Sequence, residues 1–276
     1  LKAGKDDDWI KVYVRGDYGF LVEGKPVYAS YRDRTHVAAE PLKANPRLPL
    51  EVGADFGLTP AAVIGQRQPN GQWRILAELV TDNCGVIRFA ELLRAFLAQH
   101  FPDHRPEDCN GWGDPAGAAR AQNDEQTALD LMTRYTGFRW RPAGNNEFAL
   151  RKEVVVNALN RLIDGDPGLL VSPTCPVLRK GFSGGYHYRL IKSGGTGYHE
   201  KPSKNEFSHP HDALQYLLLG GGEAAVVRSV KRPEQGPRMG MQDSDYDLIT
   251  FGMGPTRGAT RDVRQPAEYD PLNDWS

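Results

Sequence analysis

Cysteine is scarce. Cys84, Cys109 and Cys175 are the only three in 276 residues. An odd number, widely spaced and without a CxxC pair, excludes a disulfide framework and a cysteine-rich zinc site and fits a reducing compartment. Long apolar runs are also missing: no stretch approaches the roughly 18 residues a membrane helix needs. Charge of one sign is lacking too. Thirty-four Lys and Arg against 35 Asp and Glu leave a net charge of −1. That excludes a uniformly basic chromatin-like or polybasic membrane-surface protein, while leaving room for local basic patches. No complete GxxxxGK[ST] phosphate loop occurs. Ser193-Gly194-Gly195-Thr196-Gly197 lies inside a hairpin pattern and is not read as a nucleotide loop.

What is present falls into three zones. Residues 1–50 read as a lead-in segment, closed by the proline-punctuated stretch near Pro46 and Pro49. Residues 51–222 carry the strong periodic signals. Residues 223–276 are rich in Gly, Pro and mixed charge and read as a flexible or partner-binding tail. The chain opens on Leu1 and is read as a fragment or processed product.

The middle zone is mixed α/β. LEVGADFG is a short strand, and AAVIGQRQ and WRILAELV flank Pro69-Asn70-Gly71-Gln72, a hairpin signal. Val86, Phe89, Leu93 and Leu97 recur at helical spacing up to Pro102. CNGWGDPAG reads as a strand running into Gly-Asp-Pro, Gln126 to Tyr135 as a helix, FRW as a strand and Phe148 to Ile163 as a helix. A further strand, LLVS, precedes a hairpin over YHYRLIK and YHEKP. SHPHDALQYLLLGGG closes the zone as a helix capped by Ser208 or His209. A strand meander followed by βα units implies a mixed sheet with helices on its faces.

Three aspartates stand out by position. Asp55 ends one strand, Asp114 follows another in Gly113-Asp114-Pro115, and Asp212 falls near the start of the last helix. Carboxylates converging from two strand ends and a helix form an oxygen cage suited to Mg²⁺ or Mn²⁺. Two such ions can clamp the attacking and leaving oxygens of a phosphodiester. His209, three residues before Asp212, can reach the same side of that site, whereas His211 points elsewhere. Between Arg179 and Lys204, six basic residues meet the single acid Glu200, with Phe182, Tyr186, Tyr188 and Tyr198 interleaved. This is a candidate phosphate-tracking surface, with Arg189, Lys192, Lys201 and Lys204 as DNA-binding candidates.

These residues, in this order, resemble the C-terminal nuclease domain of the large terminase subunit of tailed bacteriophages. The matching pieces are Gly53-Ala54-Asp55-Phe56-Gly57-Leu58-Thr59-Pro60, Gly113-Asp114-Pro115-Ala116-Gly117 and Lys204-Asn205-Glu206-Phe207-Ser208-His209-Pro210-His211-Asp212-Ala213-Leu214-Gln215-Tyr216. The resemblance implies a ribonuclease H-like fold with an extra β-hairpin over Tyr186 to Lys201. It implies a Mg²⁺- or Mn²⁺-dependent endonuclease using two ions to cut concatemeric double-stranded viral DNA during genome packaging. By match, Asp55, Asp114 and Asp212 are metal ligands and catalytic, and His209 is an additional metal-site histidine. The implied partners are viral DNA, the portal protein and the small terminase subunit, in the host cell cytoplasm and without a membrane. A ring oligomer belongs to the full-length motor, whose N-terminal ATPase would precede residues 1–50. Two other readings fit parts of the pattern: another ribonuclease H-like nuclease such as a resolvase or transposase core, and a non-catalytic DNA-gripping or portal-docking module.

Overall fold

Residues 24–57, 59–118, 126–191 and 197–231 are described by the computed structural model. They begin with β1 (Gly24–Pro26) and a single helical turn, α1 (Asp33–His36). The meander follows as β2 (Leu50–Asp55), β3 (Ala61–Arg67) and β4 (Trp73–Val80), then α2 (Val86–His100), β5 (Cys109–Gly113), α3 (Ala128–Thr136) and β6 (Trp140–Pro142). Helix α4 (Phe148–Asn160) leads to the short strands β7 (Leu162–Ile163), β8 (Asp166–Pro167) and β9 (Leu169–Val171). Helix α5 (Pro176–Lys180), strand β10 (His187–Arg189), helix α6 (Ser208–Leu218) and helix α7 (Ala224–Lys231) complete the order.

Six strands form one sheet in the order β6-β5-β2-β3-β4-β9. The meander pairs antiparallel, while β5, β6 and β9 join in parallel. This is a mixed α/β sheet flanked by helices, as expected. Strand β2 is central and buried along nearly its whole length, with Leu50, Val52 and Ala54 on one face and Glu51, Gly53 and Asp55 on the other. Its alternation divides the core. Leu50, Val52 and Ala54 pack with Phe89 and Leu93 of α2 and Met132 of α3. Val63, Trp73 and Ile75 of the neighbouring strands face the other layer, with Val154 and Ala158 of α4 and Leu214 and Leu217 of α6. Gly53 lets α6 come close, since a Cβ there would meet the Ala213 carbonyl oxygen at 2.1 Å.

Several elements differ from the sequence expectation. Val27, Tyr28 and Tyr31, within the expected lead-in, are buried in the α4–α6 core, and Tyr31 stacks on Phe182 at 4.5 Å. β1 pairs antiparallel with β10. The helix expected to reach Ile163 stops at Asn160, because Asp164 and Gly165, both at positive φ (54° and 89°), turn β7 into β8. An Asp-Gly pair is a strong tight-hairpin signal, and it overrides helical periodicity here. Ser208 does not cap α6. Its hydroxyl donates to the Asn205 carbonyl, and Phe207 holds the cap position without a side-chain bond. The tail expected from residue 223 begins with a fully buried Glu223, bound by Trp73 and Arg161, and the chain continues as α7 after a kink at Gly222. Residues 232–276 of that tail lie outside the described residues.

Candidate metal centre

Strands β2 and β5 run parallel with Ala54 opposite Gly113. Asp55 and Asp114 therefore leave the sheet side by side, at the carboxyl ends of adjacent parallel strands, where open α/β sheets place their sites. Asp114 continues into a tight turn, its Oδ1 accepting the Ala116 N–H at 2.8 Å. Helix α6 lies across the sheet and brings His209, Asp212 and Tyr216 along one face, at helical spacings of three and four. His209 Nδ1 is 2.8 Å from Asp55 Oδ2, which joins the helix to the strand end. Tyr216 donates its hydroxyl to Asn146 Oδ1 at 3.2 Å. Its phenol pKa is raised, mainly by burial. Arg151 opposes this, and Asp114, Asp212 and Asp55 add to it, so this one ring senses all three carboxylates.

Asp212 is nearly fully buried, its side chain 3% exposed. Arg151 of α4 donates through Nη1 to Asp212 Oδ1 at 3.0 Å and to Gln215 Oε1 at 2.8 Å, and lies 4.9 Å above the Tyr216 ring. Burial works against the Arg151 charge, but neighbouring Asp212 outweighs it and raises the guanidinium pKa. Lys204 donates to the other oxygen, Oδ2. A buried carboxylate needs such partners, because an unpaired charge in the interior is strongly unfavourable.

The expected three-aspartate cage is thus not assembled as such. Among the described residues, no three His, Cys, Asp or Glu side chains stand close enough to hold one ion. Asp212 instead directs both oxygens to Arg151 and Lys204. The donor set nonetheless suits a hard divalent cation: carboxylate oxygens from two strand ends with one imidazole beside them. His211 turns away, as expected. It is buried among Tyr28, Phe182 and Tyr186, and burial lowers its pKa to about 3.

The basic stretch divides into different roles. Arg189 and Lys201 are exposed. Lys192 lies outside the described residues, and Lys204 is bound to Asp212 rather than standing free. Arg179 pairs with Asp33, and Phe182 and Tyr186 are core residues, so these three do not form a phosphate-facing surface. Tyr198 is 44% exposed. The hairpin itself is present: Leu190 bridges Tyr198, and the Ile191 N–H donates to the Gly197 carbonyl at 2.9 Å. Sequence reasoning missed Arg151, Gln215 and Asn146. The spacing of Asp212 and Gln215 on α6 could have signalled a polar patch in an otherwise apolar helix.

No family model matches the sequence, and no curated protein matches it. Solved structures do. The large terminase from the thermophilic bacteriophage D6E, in one crystal form, aligns with a TM-score of 0.54 at 19% identity, covering 71% of this chain and 44% of that one. The same protein in complex with ATP-gamma-S aligns with a TM-score of 0.54 at 18% identity, over 71% and 45%. A weaker likeness, with a TM-score of 0.45 at 12% identity, is to the large terminase nuclease from thermophilic phage G20c with bound magnesium, covering 96% of that chain. The chain spans less than half the length of the D6E protein. At these identities the likeness is one of fold: this chain is folded like part of a large terminase.

Proposed function

We propose that this chain is the nuclease part of a large terminase subunit, a divalent-metal-dependent endonuclease that cuts concatemeric double-stranded viral DNA during packaging. The observation that carries this reading is the pairing of Asp55 and Asp114 at adjacent parallel strand ends, faced by His209 and Asp212 on one side of α6. Asp55, Asp114 and Asp212 would hold Mg²⁺ or Mn²⁺. Bound there as a pair, the ions would supply Lewis-acid polarisation of the phosphodiester and an acidified water.

The protein's own residues do the rest. His209 fixes the Asp55 carboxylate through its Nδ1 contact, so that the oxygen left over keeps one orientation. The Asp114 turn does the same through the Ala116 N–H. Arg151 pins Asp212 in a buried wall where its direction is set by α4 packing on α6. Arg189 and Lys201 on the hairpin would meet DNA phosphates. The portal protein and small terminase subunit are the partners this reading implies, in the host cell cytoplasm.

Plasmid digestion with Mg²⁺, with Mn²⁺ and with EDTA tests the reading. Cleavage is expected with either metal and not with EDTA. Asp55→Asn, Asp114→Asn and Asp212→Asn should each nearly abolish it while the thermal transition persists. Metal-independent binding of DNA with no cleavage would instead favour a DNA-gripping module. A strong preference for branched over linear duplex would favour a resolvase.

A further inference from the structure

The ribbon formed by β1 and β10 has two faces. Lys25 is the direct strand partner of Tyr188, so their side chains share one of them. Alternation puts Leu190 on that face as well, and Leu190 bridges Tyr198 across the hairpin. Arg189 falls on the opposite face. Helix α4 stands across from the Tyr188 face. Its Lys152, Val156 and Asn160 recur every fourth residue and form a stripe about 12 Å long. Between ribbon and stripe lies a groove of about 550 Å³, within the range that ligand sites occupy.

The groove is cationic and aromatic. The Lys152 ammonium is 3.4 Å from the Tyr188 hydroxyl and 5.8 Å from the centre of that ring. Among the described residues neither Lys25 nor Lys152 pairs with a carboxylate. Glu200 is the one acid in the lining. Tyr198 lines the groove with 44% of its surface exposed. Ser30, in the same wall, has a buried hydroxyl oxygen with no partner among the described residues. Buried hydroxyls are ordinarily satisfied, and this one borders a space that a polar ligand can fill.

We propose that this groove holds a single strand of nucleic acid, with phosphates on Lys25 and Lys152 and a base stacked on Tyr198. The tyrosines select this ligand over others. Unpaired bases offer faces to stack, whereas a duplex hides them in its own stack and an acidic peptide such as polyglutamate has none. Glu200 would repel a phosphate but can accept a base amino group. The inference rests on the reading of this chain as a DNA-handling protein and extends it along α4. Lys152 follows Arg151, which holds Asp212, and the stripe runs toward the end of α4 where Arg161 meets Glu223. The groove therefore starts beside the candidate centre and leads away from it, a path for a strand whose phosphodiester lies at that centre.

The test is fluorescence anisotropy of labelled oligothymidylate, about eight nucleotides long, with the full 276-residue chain in EDTA. Wild type should bind it. Tyr198→Ala should weaken binding about tenfold, while Tyr198→Phe, which keeps the ring, should bind like wild type. Lys25→Gln and Lys152→Gln should each reduce the slope of log affinity against log salt by about 0.7, the value for one single-strand phosphate contact. Thermal melts check that each variant is folded. Unchanged affinity in Tyr198→Ala, with unchanged slopes in both lysine variants, would overturn the proposal. So would tighter binding of polyglutamate than of oligothymidylate, which would make the groove a peptide site. Plasmid digestion run alongside separates the two readings. Metal-dependent cleavage without Tyr198-dependent strand binding keeps the nuclease and removes the groove site. Tyr198-dependent strand binding without cleavage in either metal keeps the groove site and removes the nuclease.

Discussion

Arg151 offers the sharpest test of how the centre is held. Replacing it with Met keeps most of the side-chain volume but removes the charge and the donors. Asp212 Oδ1 and Gln215 Oε1 then lose a partner they now hold at 3.0 and 2.8 Å, in a place where the Asp212 side chain is 3% exposed. Breaking a buried ion pair from one side costs about 3–5 kcal/mol, because the remaining charge stays desolvated. Lys204 remains on Oδ2, so the lower end, about 3 kcal/mol, is expected. For a domain of this size that corresponds to a fall of roughly 6–12 °C in melting temperature. Calorimetry or urea unfolding of wild type, Arg151→Met, Asp212→Asn and the double variant closes a thermodynamic cycle. The double variant should be more stable than the sum of the single losses implies, since Arg151→Met is harmful chiefly through the stranded Asp212 charge. A loss below about 1 kcal/mol in Arg151→Met, or additivity within about 0.5 kcal/mol, would refute the buried-clamp argument.

Reversing charge at Arg189 and Lys201 should weaken DNA binding and flatten its salt dependence by about 0.9 per lost phosphate contact on a log–log plot; an unchanged slope would show that the hairpin does not touch DNA. Glu223→Gln should lower the melting temperature, because Arg161 then faces a neutral amide in a buried position and Trp73 keeps only a weaker acceptor. A protein ending at Lys231 should melt like the full chain, whereas one ending at Gly222 should not. Burial raises the Glu78 pKa, with the Val177 and Leu178 N–H groups opposing the shift. The folded state thus keeps a proton the unfolded chain has already released, and this contribution to stability is present at low pH and lost as pH rises through the raised value. Urea titrations of wild type and Glu78→Gln from pH 4 to 8 should diverge in that sense; parallel curves would count against it.

The strand-end carboxylates were legible because local sequence alone determines them. An apolar run followed by Asp-Phe-Gly, and another followed by Gly-Asp-Pro, each announce a strand and its exit. The last helix was equally readable from its unbroken apolar pattern. Arg151 was not, since an arginine in a helix ordinarily reads as part of a solvated face, and only the packing of α4 on α6 buries it. The same holds for Tyr28 and Tyr31. Their stretch looks like a linker until β1 finds β10, a pairing across more than 160 residues that no local pattern encodes. Lys204 was drawn into the basic hairpin by its neighbours in sequence, while its carboxylate partner lies eight residues on, beyond a turn.

The adjacency of β2 and β5 has a mechanical consequence. Neighbouring strands keep a repeat of about 4.8 Å, fixed by backbone hydrogen bonds and indifferent to what joins them. Between Asp55 and Asp114 the chain makes two more strands and a long helix, so insertions in the turn at Asn70 or after Phe101 could lengthen this path without changing the span between the two carboxylates. The α6 side has no such ruler. Its distance from the sheet depends on side-chain contacts and on the bare backbone at Gly53, where a single added methyl group would lift the helix. One half of the centre is therefore insulated from variation in length. The other half can be tuned by substitutions of one or two atoms.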